Sequence, residues 1–262
     1  MSETPAIETP EDDQELSFLQ HLVELRSRLL KACLSVFVVL IVLLPFSRHL
    51  YETLAAPLMA QMPEGSSMIA IDVASPFLIP FKLTLLIAIM ISIPVVMYQL
   101  WAFVAPALFK HEKSLARPLL LSSVLLFYAG CAFAYFVVFP LMFGFFASAA
   151  PEGVAVMTDI SKYLNFVMTL FLAFGLTFEV PIATIILVAT GITTADKLAS
   201  WRPYIVVGAF ALGMVLTPPD VISQTLLALP MWILFEVGII FSRILIKDKD
   251  PQDETDTDQA TS

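Results

Sequence analysis

Charged residues are scarce in this chain. Only 14% of its 262 residues are charged, whereas 58% are hydrophobic. Soluble domains carry roughly 25% charged residues and under about 50% apolar ones. One soluble core cannot hide so much apolar surface, which leaves lipid as the solvent. The composition excludes an ordinary soluble domain, and the long apolar runs predict an all-α integral membrane protein.

Motifs for catalysis and metal binding are missing as well. The two cysteines, Cys33 and Cys131, lie in apolar runs without metal-ligand spacing, and the histidines lie outside the predicted spans. The sequence has no His-Glu-x-x-His or Gly-x-Ser-x-Gly motif, no pair of intramembrane aspartates and no Gly-rich phosphate loop. Intramembrane proteolysis needs a nucleophile with a base, or a carboxylate dyad, within the bilayer. We therefore expect a protein that is not an enzyme and that uses neither a cofactor nor a metal.

Basic charge is not in excess, since the net charge is −9. Six acids and no base lie between Glu3 and Glu15, and six acids with one lysine lie between Asp248 and Asp258. Subtracting these tails' −11 from −9 leaves +2 for everything between them. We expect residues 1–16 and 247–262 to be acidic, disordered tails, and nothing indicates nucleic acid as a partner. The acidic N-terminus, followed by a late first apolar run, predicts no cleavable signal peptide.

The chain has long apolar segments instead. A spanning helix needs about 20 mostly apolar residues, and the membrane domain, residues 17–246, contains six candidates. They lie at about 29–46, 83–104, 118–146, 163–190, 203–217 and 221–242. Two prolines and an aspartate at residues 218–220 predict a turn between the last two, because such residues do not fit a lipid-facing helix. These last two spans are short against a hydrocarbon core of roughly 30 Å, which predicts local thinning of the bilayer or burial against partners.

The distribution of lysine and arginine predicts the orientation. With six spans both termini lie on one side, and that side carries eleven of the 14 basic residues. The opposite side carries only Arg48, Lys82 and Lys162. Because basic residues are retained in the cytoplasm, we expect both termini and the loops at about 105–117 and 191–202 to be cytoplasmic.

Two carboxylates near the predicted cytoplasmic surface are candidates for binding. Glu24 lies in Ser17–Lys31, an amphipathic segment that leads into span one. Periodicity alone favours an ordinary interfacial helix there, with an i,i+4 ion pair between Glu24 and Arg28. Glu112 is the single acid of a short basic loop, and pairing with a neighbouring lysine is its simplest interpretation.

A third carboxylate, Glu179, lies near the middle of span four. Its burial in lipid costs at least a few kcal/mol unless it is protonated, hydrogen-bonded or facing water. Pro181 leaves the carbonyl of Thr177 without its helical partner, so a protonated Glu179 has a local acceptor. This explains how the residue is tolerated, whereas a polar groove or a partner contact explains its presence. Glu236 lies near the end of span six and reaches the interface by snorkelling.

Five segments of the chain share a pattern with a known family. They are His21–Leu29 (HLVELRSRL), Ala70–Phe77 (AIDVASPF), Trp101–Glu112 (WAFVAPALFKHE), Phe178–Pro181 (FEVP) and Gly213–Gln224 (GMVLTPPDVISQ). In this order, with six predicted spans, they resemble TatC, the multispanning receptor subunit of the twin-arginine protein translocase. The resemblance runs from about residue 17 to about residue 246.

The resemblance implies a function in the bacterial inner membrane. A TatC protein binds signal peptides with paired arginines at its cytoplasmic face. Together with single-span subunits of the TatA and TatB type it moves folded proteins across the membrane, driven by the protonmotive force. It also implies self-association in a multimeric receptor complex within the lipid bilayer.

The resemblance also implies roles for single residues. Glu24 and Glu112 hold the two arginines, on a surface that Arg26 and Phe103 shape. Glu179 lines a concave face in the membrane, and Pro57 braces the outer cap. The docking site for the single-span subunits comprises Met214, Thr217 and Gln224.

Two other functions remain open from the residues alone. A secondary transporter would use Glu179 as its proton site. One carboxylate without a basic partner, in a chain without an internal repeat, is weak support for a proton relay. A passive scaffold for other membrane proteins would bind no signal peptide. Uptake by the purified protein and binding of a signal peptide distinguish the three functions.

Overall fold

The computed structural model describes residues 10–52, 68–108, 116–148, 158–217 and 220–245. Within them the chain is mostly helical, with short turns between helices and two strands of two residues each. The helices are α1 (Pro10–Leu43), α2 (Ser75–Leu108), α3 (Ala116–Phe133), α4 (Phe139–Ser148), α5 (Ile160–Thr177), α6 (Val180–Ala189), α7 (Ala195–Ser200), α8 (Arg202–Leu216) and α9 (Val221–Leu245). A 3₁₀ turn (Leu44–Phe46) follows α1, and a π-helical turn (Ala134–Val138) joins α3 to α4.

Among the described residues, five helical segments are long and apolar enough to cross a membrane, and Arg202–Leu216 is a shorter apolar helix. The five are Leu22–Glu52, Ser75–Phe103, Arg117–Phe146, Ile160–Ala189 and Val221–Leu245. The chain is therefore a mostly helical membrane protein, as its composition predicts. The strands, β1 (Met68–Ile69) and β2 (Thr158–Asp159), pair in parallel, and no sequence pattern predicted them.

The first helix begins earlier than its sequence predicted. The amphipathic segment was expected to start at Ser17, after a disordered tail at residues 1–16, but α1 is continuous from Pro10 to Leu43. Residues 10–16 thus belong to the helix that enters the membrane. The remainder of that tail, and the tail at 247–262, lie outside the described residues.

The chain divides into two compact units. The first contains the described parts of Met1–Leu58 and Asp72–Leu120, and the second those of Met59–Ile71 and Leu121–Ser262. In the first unit α1 packs along α2. Leu83, Leu86 and Ile93 of α2 are buried there, while most of α1 stays exposed, as a lipid-facing helix does.

Prolines set the breaks in the helices of the second unit. Pro140 has no N–H to donate to the fourth carbonyl back, and just before it the Phe139 N–H donates to Ala134 O, five residues back. Pro181 likewise separates α5 from α6. The backbone turns at residues 178–179, where the Glu179 N–H donates to Leu176 O at 3.1 Å. This turn fixes where the Glu179 side chain leaves the helix.

A cluster of buried apolar side chains lies around α7 in the second unit. Gly191, with φ of 72°, ends α6 in the left-handed region that favours glycine. Thr194 then caps α7 by accepting the Lys197 N–H at 3.2 Å. The buried core here consists of Val188, Ala195, Leu198, Phe235 and Ile239.

Candidate functional site

The carboxylate of Glu24 lies on α1 and already holds a guanidinium. Arg28 donates from Nε at 2.9 Å and from Nη2 at 2.6 Å, both to Glu24 Oε1. This is the i,i+4 pair that the sequence predicts, and it is partly exposed. Because both donors use Oε1, Oε2 has no hydrogen bond from Arg28 and, among the described residues, remains open to a second donor.

The other predicted residues of this surface are only partly described. Arg26 is exposed on α1. Phe103 is half-buried on α2, which packs against α1 in the same unit. Glu112 lies outside the described residues, so the spacing between the two predicted arginine-binding carboxylates is not described. Arg28 was not predicted as a site residue, although its i,i+4 spacing to Glu24 is readable from the sequence.

Glu179 lies at the break between α5 and α6 and is tied to α3. Ser123 Oγ donates to Glu179 Oε2 at 2.6 Å. The other oxygen, Oε1, is buried and has no hydrogen-bond partner among the described residues. A buried carboxyl oxygen without a hydrogen bond is costly in an apolar surrounding, so this arrangement favours a polar group or water that reaches Oε1. Ser123, 56 residues away in sequence, carried no signal that would have identified it.

The hairpin between α8 and α9 holds the predicted docking residues. Met214 is 62% exposed, whereas Thr217 is buried and its Oγ1 donates to Gly213 O at 2.8 Å. Gln224 is half-buried on α9 and lies close to Gly213 of α8. A Cβ added to Gly213 would be 3.4 Å from Gln224 Cα. The structure thus brings Thr217 and Gln224 to the same end of the hairpin, and it leaves Met214 on the surface nearby. Pro57 lies outside the described residues.

Two further polar residues belong to the hairpin and were not predicted as site residues. Asp220 caps α9 by accepting the Ser223 N–H at 2.7 Å. Asp220 Oδ2 and Ser223 Oγ are both buried without a partner among the described residues. An aspartate immediately before an apolar helical segment is a helix-capping signal that can be recognised in the sequence. Unpaired buried polar atoms cost about 1–3 kcal/mol each, which favours a partner that supplies the missing hydrogen bonds.

Two ion pairs join α7, α8 and α9 at the opposite end of the hairpin. Arg202 makes a bidentate pair with Glu236, from Nε to Oε1 at 2.6 Å and from Nη2 to Oε2 at 2.8 Å. Arg243 Nη2 donates to Asp196 Oδ1 at 2.7 Å. Glu236 therefore pairs with Arg202 of α8 and does not simply extend its side chain to the interface. The two ion pairs add polar contacts between helices to the buried apolar cluster around α7.

Comparison with known proteins identifies the family to which this sequence is similar. The family described as "Sec-independent protein translocase protein (TatC)" matches residues 20–230. A protein of that name from Azotobacter chroococcum mcd 1 is 57% identical over 242 residues, covering 92% of this chain and 95% of its relative. The Escherichia coli K12 protein of the same name is 58% identical over 236 residues, covering 90% and 91%.

A solved structure has the same fold. The crystal structure of the twin arginine translocase receptor TatC superposes with a TM-score of 0.77 at 37% identity, covering 86% of this chain and 98% of that one. The relatives are named as translocase proteins, a class of transport proteins rather than of enzymes. The two sequence matches cover 92% and 90% of this chain, and the structural match covers 86% of it. This chain belongs to the TatC family of Sec-independent, twin-arginine protein translocase proteins.

Proposed function

We propose that this protein is the signal-peptide receptor and core subunit of a twin-arginine translocase in the bacterial inner membrane. It spans the membrane six times with both termini in the cytoplasm. The five long apolar helices and the shorter Arg202–Leu216 supply six segments, and the eleven-to-three distribution of basic residues supports the orientation. Because α8 has 15 residues, it is about 22 Å long and requires the bilayer to thin around it.

The observation that carries the proposal is the Glu24–Arg28 contact. A guanidinium of the chain itself already occupies Glu24 with two hydrogen bonds. The carboxylate therefore stands at an accessible place and in a geometry that accepts arginine. A signal-peptide arginine binds there either by taking the free Oε2 or by displacing Arg28.

A second carboxylate gives the selectivity for paired arginines. We assign it to Glu112, with Arg26 and Phe103 shaping the surface between the two carboxylates. Guanidinium is a planar fork that pairs with a carboxylate through two bonds, whereas the lysine ammonium is a point charge. With hydrogen bonds to charged groups contributing roughly 1.5–3 kcal/mol each, two such sites reject lysine while the apolar part of the peptide adds affinity.

Single-span subunits of the TatA and TatB type dock at the hairpin between α8 and α9. Met214 offers an exposed apolar contact and Gln224 a half-buried polar group at the membrane's outer surface, and the buried Thr217 shapes the same site by bonding to Gly213 O at the end of α8. The buried, unpaired Asp220 Oδ2 and Ser223 Oγ support a partner that brings hydrogen-bonding groups. Pro57 braces the outer cap, and the protein associates with further copies of itself in the receptor complex. The protonmotive force drives transport.

Glu179 lines a polar groove within the membrane. The Ser123 hydroxyl holds one carboxyl oxygen, and the other is available to a polar group from a partner helix or to water. A proton-coupled transporter remains a weaker alternative, because no basic group is bonded to this carboxyl among the described residues.

The proposal is tested by peptide binding to a Glu24→Gln variant. The amide keeps the shape of Glu24 but removes the charge, so we expect the affinity for an Arg-Arg signal peptide to fall about tenfold or more, given roughly 1.5–3 kcal/mol per charged hydrogen bond. Glu52→Gln is the matched control, since Glu52 is exposed at the far end of the same helical segment. Unchanged affinity in Glu24→Gln contradicts the assignment of Glu24.

A further inference from the structure

A groove on the surface of α1 combines positive charge with an apolar wall. It encloses about 350 Å³, and its lining residues are Val23, Arg26, Ser27, Leu30, Lys31 and Leu34. The three apolar members are well exposed, Leu34 at 60% for example. The groove runs over the twelve residues from Val23 to Leu34, whose ends lie about 16 Å apart along the axis, and it starts next to Leu22, where the first membrane-spanning segment begins.

The two cations of this groove are not neutralised within the described chain. Arg26 and Lys31 have neither an ion pair nor a hydrogen-bonded carboxylate among the residues that the structure describes. The nearby carboxylate, Glu24, is engaged by Arg28 instead. The groove therefore carries two uncompensated positive charges about 7.5 Å apart along the helix, with the Ser27 hydroxyl beside them.

We propose that this groove binds an anionic phospholipid. Arg26, Ser27 and Lys31 contact the phosphate, and the exposed side chains of Leu30 and Leu34 contact an acyl chain. Basic side chains at the start of a spanning helix attract anionic headgroups, and their stems pack on apolar surface. Two positive charges beside exposed apolar side chains complement a phosphate that carries an acyl chain, so charge complementarity favours the lipid as the occupant.

This inference does not depend on the proposed receptor function. Arg26 is common to both sites, whereas Lys31 and Ser27 belong to the lipid groove only. The test accordingly uses Lys31→Gln and contains no signal peptide in its main arms. Each idea then fails or survives without the other.

Cys33 provides the reporter, because it is exposed while Cys131 is buried. A fluorophore on Cys33, two residues from Lys31, is quenched by lipids with brominated acyl chains. The labelled full chain is placed in phosphatidylcholine vesicles containing a rising fraction of brominated phosphatidylglycerol, or of brominated phosphatidylcholine. Lys197→Gln is the matched control, since Lys197 is an exposed lysine on α7 in the other unit.

We expect the protein without substitutions to prefer phosphatidylglycerol over phosphatidylcholine by at least about tenfold. The reason is that each basic residue near an anionic surface contributes about fivefold. Lys31→Gln lowers the preference about fivefold, and Lys197→Gln leaves it unchanged. Equal quenching by the two lipids overturns the proposal, as does a preference that is undiminished in Lys31→Gln or that falls equally in Lys197→Gln.

Discussion

At the scale of single residues, the proposed function depends on which groups are hydrogen-bonded to two carboxylates. Glu24 is paired with Arg28 on its own helix, and Glu179 is paired with Ser123 of α3 through only one of its oxygens. Both arrangements leave an acceptor for an incoming group. The first lies on a partly exposed helix face and the second lies in an apolar span, so an arginine suits only the first.

If the signal peptide binds Glu24 as proposed, Arg28 competes with it for that carboxylate. An exposed i,i+4 ion pair contributes about 0.3–0.5 kcal/mol, so we expect Arg28→Gln to raise the affinity for an Arg-Arg peptide about twofold. Titration of a labelled peptide measures the effect, with Arg243→Gln as the control because Arg243 pairs with Asp196 in the other unit. A fall of tenfold would instead mean that Arg28 holds Glu24 in its binding position.

The same scale shows what the sequence could and could not predict about the site. The Glu24–Arg28 pair follows from helical spacing, and the break beside Glu179 follows from Pro181. Ser123 and Arg202 could not be matched to their carboxylates, because those pairs join different helices and depend on how the helices pack. Glu112 and Pro57 lie outside the described residues, so their roles stay predictions.

At the scale of elements, close packing between helices decides stability. A Cβ at Gly238 of α9 would collide with Thr184 Oγ1 and lie 2.9 Å from Pro181 Cα. Thr184 is itself fixed, since its hydroxyl donates to Pro181 O at 2.7 Å. The contact of α9 with α6 therefore requires glycine at this position, and it adjoins the turn that carries Glu179.

We expect Gly238→Ala to lower the free energy of unfolding by about 1–3 kcal/mol, the usual cost of overpacking. Thermal or denaturant unfolding in detergent measures this change. Gly208→Ala on α8 is the control, because a Cβ there meets nothing within 4 Å and alanine favours the helix. Equal stability of the two variants would contradict the packing described between α6 and α9.

At the scale of the whole molecule, apolar composition and proline positions predicted most of the architecture. The apolar runs correspond to helices, and α8 ends at Leu216 just before the predicted turn, with α9 beginning at Val221. The strand pair and the early start of α1 were missed. Two-residue strands have too little pattern to recognise, and the acids of residues 10–16 were read as a tail although acids also favour a helix N-terminus.

The six-span topology is tested by labelling single cysteines with a membrane-impermeant maleimide, in a Cys33→Ser background. If α8 and α9 both cross the membrane, Val221→Cys reacts from outside the cell, because residue 221 is exposed at the outer hairpin. Ser200→Cys, exposed at the end of α7, reacts only after permeabilisation. Labelling of Val221→Cys only after permeabilisation would mean that α8 does not cross the membrane.

The central claim is that this protein recognises paired arginines at its cytoplasmic face. The most direct measurement is site-specific photocrosslinking from the loop around Glu112, in membranes containing this protein, to a signal peptide with Arg-Arg or with Lys-Lys. Our account predicts crosslinking to the Arg-Arg peptide only, and its loss in Glu112→Ala or Glu112→Lys although the protein still inserts and assembles. Equal crosslinking of the two peptides, or normal crosslinking in those variants, would contradict the account.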